Sequence, residues 1–227
     1  MLSTAAEREA VALVCRRLHE RGLIAGQDGN VSLRVGPDRV LVTPAGLCKV
    51  DVRPDDLVEL TLAGAPAAGS GAASSEVGMH LRIYQRRPDV CAVVHAHPPA
   101  ATAFTVARAP FVSRALPEIM LLMGEVAAVP YATPGTAALA DAFDPHLAAH
   151  DAFLMANHGA TTVGASLRLA HQRMESLEHA ARILLHAHQL GGVATLTDDQ
   201  LRDLTAAREA ARSRDAQQPP PWARRTE

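Results

Sequence analysis

The sequence predicts a single α/β domain in which helices cover both faces of a central sheet that is mostly antiparallel or mixed. Short apolar runs rich in valine recur along the chain, and two of them flank a Gly-Pro-Asp turn as in a hairpin. Other runs alternate with stretches of helical periodicity. The length of 227 residues suits one domain with a sizeable core. The expected architecture is therefore three layers, α/β/α.

The first half of the chain is expected to supply a helix, a hairpin and a second helix. A capping pair, Thr4 and Glu7, precedes apolar residues at helical spacing, which predicts a helix over residues 3–21. Strands are expected in VSLRV and RVLVT, and again at 57–62. After a loop of small residues, the second helix should run over about 74–87.

The second half is expected to alternate strands with helices. Strands are predicted at residues 90–95, 126–129 and 152–155, and helices at 99–106, 136–149, 165–190 and 198–213. The longest of these helices has leucine, alanine and methionine recurring every three or four residues along one stripe. Residues 1–213 are taken as a single domain, followed by a Pro-rich tail at 214–227.

The composition of the chain argues against several classes of function. Lysine and arginine total 22 against 24 acidic residues, and aromatic residues make up 3%, so a nucleic-acid partner is not indicated. No apolar run approaches the ~18 residues that a membrane helix needs. The acid-containing N-terminus is unlike a signal peptide, and the three widely spaced cysteines fit a reducing compartment. We expect a cytoplasmic protein with neither a nucleic-acid nor a membrane partner.

Two histidines end the strand predicted at 90–95. His95 and His97 are two residues apart, so on a strand their side chains would point to one face and could share a metal ion such as Zn²⁺. Two unrelated histidines would give the same pattern. A third histidine would favour a metal site, and His158 is the candidate, because it follows another predicted strand in the sequence ANHG. Taken alone, His158 would be read as a turn residue.

A second group of residues could bind an anion. The segment Ser-Ser-Glu at 74–76 opens a predicted helix, whose N-terminal N–H groups and dipole favour a phosphate. The same segment would also serve as an ordinary helix cap. The sequences GN at 29–30 and TPAG at 43–46 are turns first and candidate ligand-binding loops second. His80 lies one helical turn after Glu76 and could contact the site.

Six short motifs occur in an order and at intervals typical of one protein family. They are GN at 29–30, TPAG at 43–46, SSE at 74–76, HAH at 95–97, PYATPGT at 130–136 and NHG at 157–159. In this pattern, from the first helix to about residue 190, the chain resembles the class II aldolase/adducin family, which includes enzymes acting on sugar phosphates such as fuculose 1-phosphate. The resemblance implies a cyclic homotetramer with its sites at subunit contacts.

The resemblance also implies roles for single residues. His95, His97 and His158 would bind Zn²⁺, without excluding Mn²⁺ or Co²⁺, and Glu76 would complete the metal site at rest and then act as the base. The residues implied to hold a substrate phosphate are Asn30, Thr43, Gly46, Ser74 and Ser75. The implied reaction cleaves a phosphorylated ketose to dihydroxyacetone phosphate and an aldehyde through a Zn-stabilised enediolate.

The chain departs from the family pattern in its tyrosines. A tyrosine expected between the HAH and PYATPGT motifs is absent from SRALPEIMLLMGEV, and the chain contains only Tyr84 and Tyr131. The C-terminal tail offers Trp222 and Arg224 instead of a tyrosine. Glu118 could replace the missing proton donor, or it could be a solvated loop carboxylate. The stretch 114–124 that contains it could face a neighbouring subunit.

Several other functions stay open. Epimerisation, dehydration or decarboxylation of a sugar phosphate could use the same site, although Glu76, where the epimerases tend to carry aspartate, favours the aldolase. A non-catalytic, adducin-like module would be expected to have lost the three histidines. A metallo-hydrolase would more often show HxHxD, whereas His97 is followed by two prolines.

Overall fold

The computed structural model describes residues 3–67 and 71–216. Its strands are β1 (Asn30–Gly36), β2 (Arg39–Val42), β3 (Val58–Leu60), β4 (Ala92–Ala96), β5 (Ala127–Val129), β6 (Ala152–Met155) and β7 (Gly159–Gly164). Its helices are α1 (Ala5–Glu20), α2 (Val77–Arg86), α3 (Pro99–Ala107), α4 (Pro117–Leu122), α5 (Ala137–Phe143), α6 (Leu167–Gln189) and α7 (Asp198–Ala216).

The strands form one mixed sheet, as the sequence predicts. Their order across the sheet is β3-β2-β1-β4-β7-β6-β5. Every neighbouring pair is antiparallel except β5 and β6, which are parallel. The strand β4 therefore lies at the centre, paired with β1 on one side and with β7 on the other.

Helices cover both faces of the sheet, which confirms the three-layer prediction. On one face, α1, α3, α4 and α6 bury a large apolar cluster that includes Val14, Phe104, Ile119 and Met174. On the other face, α2 and α5 bury a second cluster around Ile83 and Phe143. The predicted first helix begins as expected, because Thr4 and Glu7 form a complete capping box.

The structure adds two elements to those predicted and shortens a third. The strand Gly159–Gly164 is fully buried between β4 and β6, so its small and polar residues need no alternating pattern. The helix Pro117–Leu122 was not predicted, although proline at its first position suits a helix start. The predicted helix at 136–149 ends at Phe143.

The last helix extends to Ala216, three residues past the predicted domain boundary. Residues 217–227, which include Trp222 and Arg224, lie outside the described part of the chain. The division into a domain at 1–213 and a tail at 214–227 therefore stays a prediction. Among the helices that are described, none is both long and apolar enough to cross a membrane.

A buried ion cluster holds the helices to the beginning of β6. Asp151, which is 1% exposed, precedes that strand. Its carboxylate oxygens lie 3.0 Å from Arg87, 3.0 Å from Arg173 and 2.8 Å from Arg208. Arg212 approaches to 3.6 Å. Because these arginines belong to the end of α2, to α6 and to α7, one carboxylate ties three helices to the sheet.

Candidate metal centre

Strand pairing brings the three histidines to one edge of the sheet. His95 lies on β4 and His97 follows the end of that strand. His158 lies in the tight turn that joins β6 to β7. Because β7 pairs with β4, with Ala160 opposite Ala96, the turn places His158 beside the two histidines of β4.

The three imidazole rings surround a common point. Their centroids are separated by 5.0, 4.8 and 5.0 Å, and neighbouring rings are inclined by 66–71°. One ligand nitrogen of each lies within 4.8 Å of the other two, and the Nε2 atoms of His95 and His97 are 3.2 Å apart. Tetrahedral ligands at zinc–nitrogen distances of about 2.1 Å would be about 3.4 Å apart. The arrangement is therefore one that could hold a metal ion.

The Nδ1 atoms of the three rings, which face away from the common point, are in three different environments. Nδ1 of His95 lies 2.9 Å from the carbonyl oxygen of Ala160, a hydrogen-bonding contact that fixes the orientation of the ring. Nδ1 of His97 lies 3.4 Å from a carboxylate oxygen of Asp28. Nδ1 of His158 is buried and has no hydrogen-bond partner within the described part of the chain. The first two contacts orient Nε2 towards the common point.

Burial keeps two of these rings neutral. It lowers the pKa of His158 to about 4, and the neighbouring His95 adds to this effect. Burial, followed by the effect of His95, also lowers the pKa of His97. Neutral imidazole is the form that binds a metal, so little proton release would accompany binding at neutral pH.

The backbone around the histidines requires small residues. A Cβ atom on Gly159 would lie 2.5 Å from the carbonyl oxygen of Ala96 and 2.6 Å from Cδ2 of His97. Gly29 has φ +71°, and a Cβ atom there would lie 2.7 Å from the carbonyl oxygen of His95. Both glycines therefore allow a close approach of backbone that a larger residue would prevent.

Glu76 faces the histidines from the residue before α2. Its two carboxylate oxygens lie 3.3 Å from Nε2 of His95 and 3.3 Å from Nε2 of His158. Asn30 donates from Nδ2 to Oε2 of the same carboxylate at 2.9 Å. Burial would raise the pKa of Glu76, but the hydrogen bonds and charge of its neighbours, His95 first, hold it well below its usual range. Glu76 is therefore an ionised carboxylate at neutral pH.

The segments predicted to bind an anion lie side by side. Pro44 and Ala73 form an isolated antiparallel bridge, and the backbone N–H of Ser74 donates to the carbonyl oxygen of Thr43 at 3.1 Å. A Cβ atom on Gly135 would lie 3.4 Å from the carbonyl oxygen of Ser75, so the PYATPGT segment adjoins the same place. Since Asn30, His95 and His158 contact Glu76 directly, the fold brings residues of all six motifs to this place.

The residues predicted to hold a phosphate differ in their exposure and in the hydrogen bonds that they already make. Ser75 is exposed, and the space around Gly46 is open. Thr43 is fully buried, and its hydroxyl accepts the backbone N–H of Val31 at 3.2 Å. The amide of Asn30 contacts Glu76, and Ser74 accepts the backbone N–H of Glu76 at 3.4 Å. These five assignments stay predictions.

Within one chain, the described residues show no contact between Glu118 and the three histidines. It is exposed in the first turn of α4, which packs against α6 and α7. Within the described residues it makes no hydrogen bond or ion pair with the histidines or Glu76. Its suggested part in proton transfer stays a prediction. Tyr131, in the PYATPGT segment, is 62% exposed.

Two residues near the centre belong to none of the motifs. Asp28 faces His97, and its position directly before GN could have indicated a contact with the site. Lys49 is 3% exposed, and its ammonium group donates to the carbonyl oxygens of Gln27 and Leu47 at 2.8 and 3.0 Å. Burial lowers the pKa of Lys49. This lysine fastens the GN loop to the TPAG loop.

The family assignment rests on a match to most of the chain. Residues 9–185 match the class II aldolase and adducin N-terminal domain. The chain therefore belongs to the class II aldolase/adducin family, as its motifs indicate.

The relatives differ from one another in the activity that their names state. The chain is 33% identical over 191 residues to 3-oxo-tetronate 4-phosphate decarboxylase of Pectobacterium atrosepticum, covering 82% of this chain and 83% of the relative. It is 32% identical over 200 residues to 5-deoxy-D-ribulose 1-phosphate aldolase of Bacillus thuringiensis, covering 87% and 93%. A solved structure of L-fuculose 1-phosphate aldolase matches with a TM-score of 0.84 at 27% identity, covering 90% and 97%.

Proposed function

We propose that the protein is a Zn²⁺-dependent aldehyde-lyase that cleaves a phosphorylated ketose, similar to fuculose 1-phosphate, into dihydroxyacetone phosphate and an aldehyde. The observation that carries this proposal is the convergence of three imidazole nitrogens on one point, with the ionised carboxylate of Glu76 against two of them. His95, His97 and His158 would hold the ion. A divalent ion there would act as a Lewis acid towards the substrate's carbonyl oxygen.

Glu76 supplies the proton transfer in this scheme. Breaking the carbon–carbon bond leaves its electron pair on the dihydroxyacetone phosphate half as an enediolate. The hydroxyl group on the departing half loses a proton and becomes the aldehyde. Glu76 carries a proton to the enediolate carbon, so that the overall reaction consumes none. In the reverse direction the ionised form of Glu76 removes that proton.

The loops beside Glu76 suit the substrate's phosphate. The exposed Ser75 and the open turn at Gly46 lie on segments that the Pro44–Ala73 bridge holds together. Ser74 on the same segments and Asn30 in the neighbouring GN turn would contribute to this surface, and the buried Thr43 would support it through its hydrogen bond from Val31. A phosphate there would keep the substrate's reacting carbons at the histidines.

Decarboxylation is the second candidate, and two observations favour it. One is the similarity to 3-oxo-tetronate 4-phosphate decarboxylase. The other is the absence of tyrosine from residues 113–126, where an aldolase would be expected to carry a proton donor for the aldehyde half. Loss of carbon dioxide from that 3-oxo acid would leave the same enediolate, whose protonation by Glu76 gives dihydroxyacetone phosphate. This reaction consumes one proton.

The two reactions are separated by their second product. Purified protein with its metal content measured would be incubated with a panel of ketose 1-phosphates and with 3-oxo-tetronate 4-phosphates. Dihydroxyacetone phosphate together with an aldehyde supports the aldolase, and dihydroxyacetone phosphate together with carbon dioxide supports the decarboxylase. Bound metal with no dihydroxyacetone phosphate from any substrate would rule out both.

We also propose that the enzyme works as a cytoplasmic homotetramer. The three cysteines are free, which suits a reducing compartment. Large apolar side chains remain exposed on one chain, among them Val106 at 58% and Leu190 at 90%. Light scattering after size-exclusion chromatography should give about four times the chain mass of 24.0 kDa. A mass of one chain at micromolar concentration would contradict the tetramer.

A further inference from the structure

A line of buried polar side chains runs away from Glu76 into the protein. Asn30, the first of them, is 3% exposed, and behind it lie His80, Ser32 and Tyr84, at 0%, 0% and 1%. Asn30 Oδ1 is 2.5 Å from His80 Nε2, and His80 Nδ1 is 2.6 Å from Ser32 Oγ. Ser32 Oγ is 2.8 Å from the Tyr84 hydroxyl oxygen.

The spacing of these residues in the sequence produces the line. Asn30 and Ser32 are two residues apart on β1, so their side chains lie on the same face of the sheet. His80 and Tyr84 are four residues apart on α2, so they lie on the same face of the helix. Glu76 precedes them by a further four. The strand and the helix therefore contribute alternate members.

The direction of each hydrogen bond follows from the chemistry of the two ends. The Nδ2 atom of Asn30 faces Oε2 of Glu76 at 2.9 Å and its Oδ1 atom faces His80, so Asn30 presents its NH₂ group to Glu76 and its oxygen to His80. Nε2 of His80 must then carry the hydrogen. Because burial lowers the pKa of His80 to about 3, the ring is neutral and Nδ1 accepts from Ser32. Ser32 in turn accepts from the Tyr84 hydroxyl.

We propose that His80 is a positioning residue that fixes the amide orientation of Asn30 and, through it, the carboxylate of Glu76. An asparagine amide can rotate by half a turn, which would place its oxygen against the carboxylate. The N–H of His80 opposes that rotation because it would then face the NH₂ group. All four hydrogen bonds point towards Glu76, so each strengthens the next. One carboxylate oxygen is held by Asn30, and the other is left for the reaction.

The inference rests on the proposed function in one respect, namely that Glu76 moves the proton. A measurement that does not depend on turnover distinguishes failure of this inference from failure of the proposed function. The chain contains only two asparagines, Asn30 and Asn157. Protein labelled with ¹⁵N at asparagine alone would give two side-chain NH₂ signals, and an Asn157→Asp variant would identify the signal of Asn30.

In the native protein the two Asn30 amide protons should differ in chemical shift and exchange slowly with water. His80→Leu removes the donor, so the Asn30 signal should move towards the position of a free amide and exchange faster. His80→Gln keeps an N–H group near the place of Nε2 and should restore most of the native signal. His171→Leu, which changes a buried histidine on α6 that is 5% exposed, is the matched control and should leave the signal unchanged.

Turnover provides the second measurement. His80→Leu should lower kcat by about 10- to 100-fold with KM nearly constant, and His80→Gln should recover most of it. Tyr84→Phe removes only the far end of the line and should give a smaller change of the same kind. The Tyr84→Phe variant keeps the proposal testable if His80→Leu does not fold.

The proposal fails if the folded His80→Leu variant keeps the native Asn30 signal. If His80→Leu does not fold, the proposal fails when Tyr84→Phe leaves both the Asn30 signal and kcat unchanged. A changed Asn30 signal in a protein that turns over none of the substrates would support the positioning role and contradict the proposed function.

Discussion

At the scale of the single residue, the two oxygens of Glu76 have unlike surroundings. Oε2 accepts from Asn30, whereas Oε1 is buried without a hydrogen-bond partner among the described residues and lies 3.3 Å from His158. Oε1 is therefore the oxygen that is available to take up or release a proton.

Replacing Glu76 by glutamine should separate metal binding from turnover. Glu76→Gln removes the proton carrier but leaves the three histidines, so we expect full metal content with kcat lowered by about 10²- to 10⁴-fold. Metal analysis and steady-state kinetics on the same preparation would measure both. Unchanged turnover would show that another group is the base. Glu118→Gln, assayed in parallel, tests whether the exposed carboxylate of α4 takes part.

Gly159 should not tolerate a side chain. In Gly159→Ala the new Cβ atom would press on the backbone of Ala96 and on the ring of His97, at 2.5 and 2.6 Å. We expect lower thermal stability and a loss of metal affinity, measured by calorimetry and by competition with a chelator. Gly78→Ala is the control, because apart from its chain neighbours and the backbone of its own helix no described atom lies within 4 Å of its Cβ position. Equal behaviour of the two variants would contradict the steric argument.

Sequence spacing could predict some of these residues but not their partners. The two-residue interval of His95 and His97 indicates a shared face, and the structure brings His158 to them. The contact between Asn30 and Glu76 spans 46 positions of sequence, and no local pattern encodes it. His80, for which a contact with the site was one possibility, lies one residue further back, behind Asn30.

At the scale of secondary-structure elements, α7 is fixed mainly by charge. Its arginines Arg208 and Arg212 reach Asp151, and Arg208 also donates to the carbonyl oxygen of Met123 at 2.8 Å. Because Asp151 is buried, its carboxylate compensates arginines from three helices at once. Removing it would leave Arg173 and Arg208 without an acidic partner among the described residues, whereas Arg87 would keep Asp89 at 2.7 Å.

Asp151→Asn should therefore destabilise the whole protein. We expect a loss of about 3 kcal/mol, since one partner of a buried ion cluster disappears. At 2–4 °C per kcal/mol for a domain of this size, the melting temperature should fall by roughly 6–12 °C. Asp203→Asn, on the exposed side of α7, should change it little. Similar melting temperatures for both variants would show that the cluster contributes nothing.

The same carboxylate predicts the acid limit of stability. Burial would raise the pKa of Asp151, but the charges of Arg173, Arg212 and Arg87 outweigh burial and lower it. A pKa that is lower in the folded than in the unfolded state contributes stability above the unfolded value of about 3.9. That contribution is lost as the pH falls below this value. Denaturation followed from pH 6 to pH 2 should show a shallower decline in Asp151→Asn than in the native protein.

Strand β7, which the sequence did not predict, was missed for a physical reason. Strand β7 lacks a strand-like pattern because both of its faces are buried, so Thr161 and Thr162 need no polar surface to face. Its β-branched run between two glycines was the available signal. Strand β4 was predictable because its valines form a continuous apolar run. Both strands are fully buried, so the difference lies in their composition: valines mark β4, whereas β7 combines glycine, alanine and threonine.

At the scale of the whole molecule, a metal ion at the three histidines would stabilise the folded state only, because the unfolded chain separates its ligands. At a metal concentration 100 times the dissociation constant, the gain is about 2.7 kcal/mol. A strong chelator should therefore lower the melting temperature by roughly 5–10 °C. His95→Ala should make the melting temperature insensitive to the chelator. A native protein equally insensitive would contradict metal binding at this centre.

The strand order has a consequence for synthesis on the ribosome. The partner of β4 on its second side is β7, which is made more than sixty residues later. Until then β4 is an edge strand with a valine run and unpaired backbone groups, the kind of edge that pairs with other chains. The arrival of β7 closes this edge and delivers His158 in one step. Protection from misassociation and completion of the metal centre would thus occur at the same moment in the life of the nascent chain.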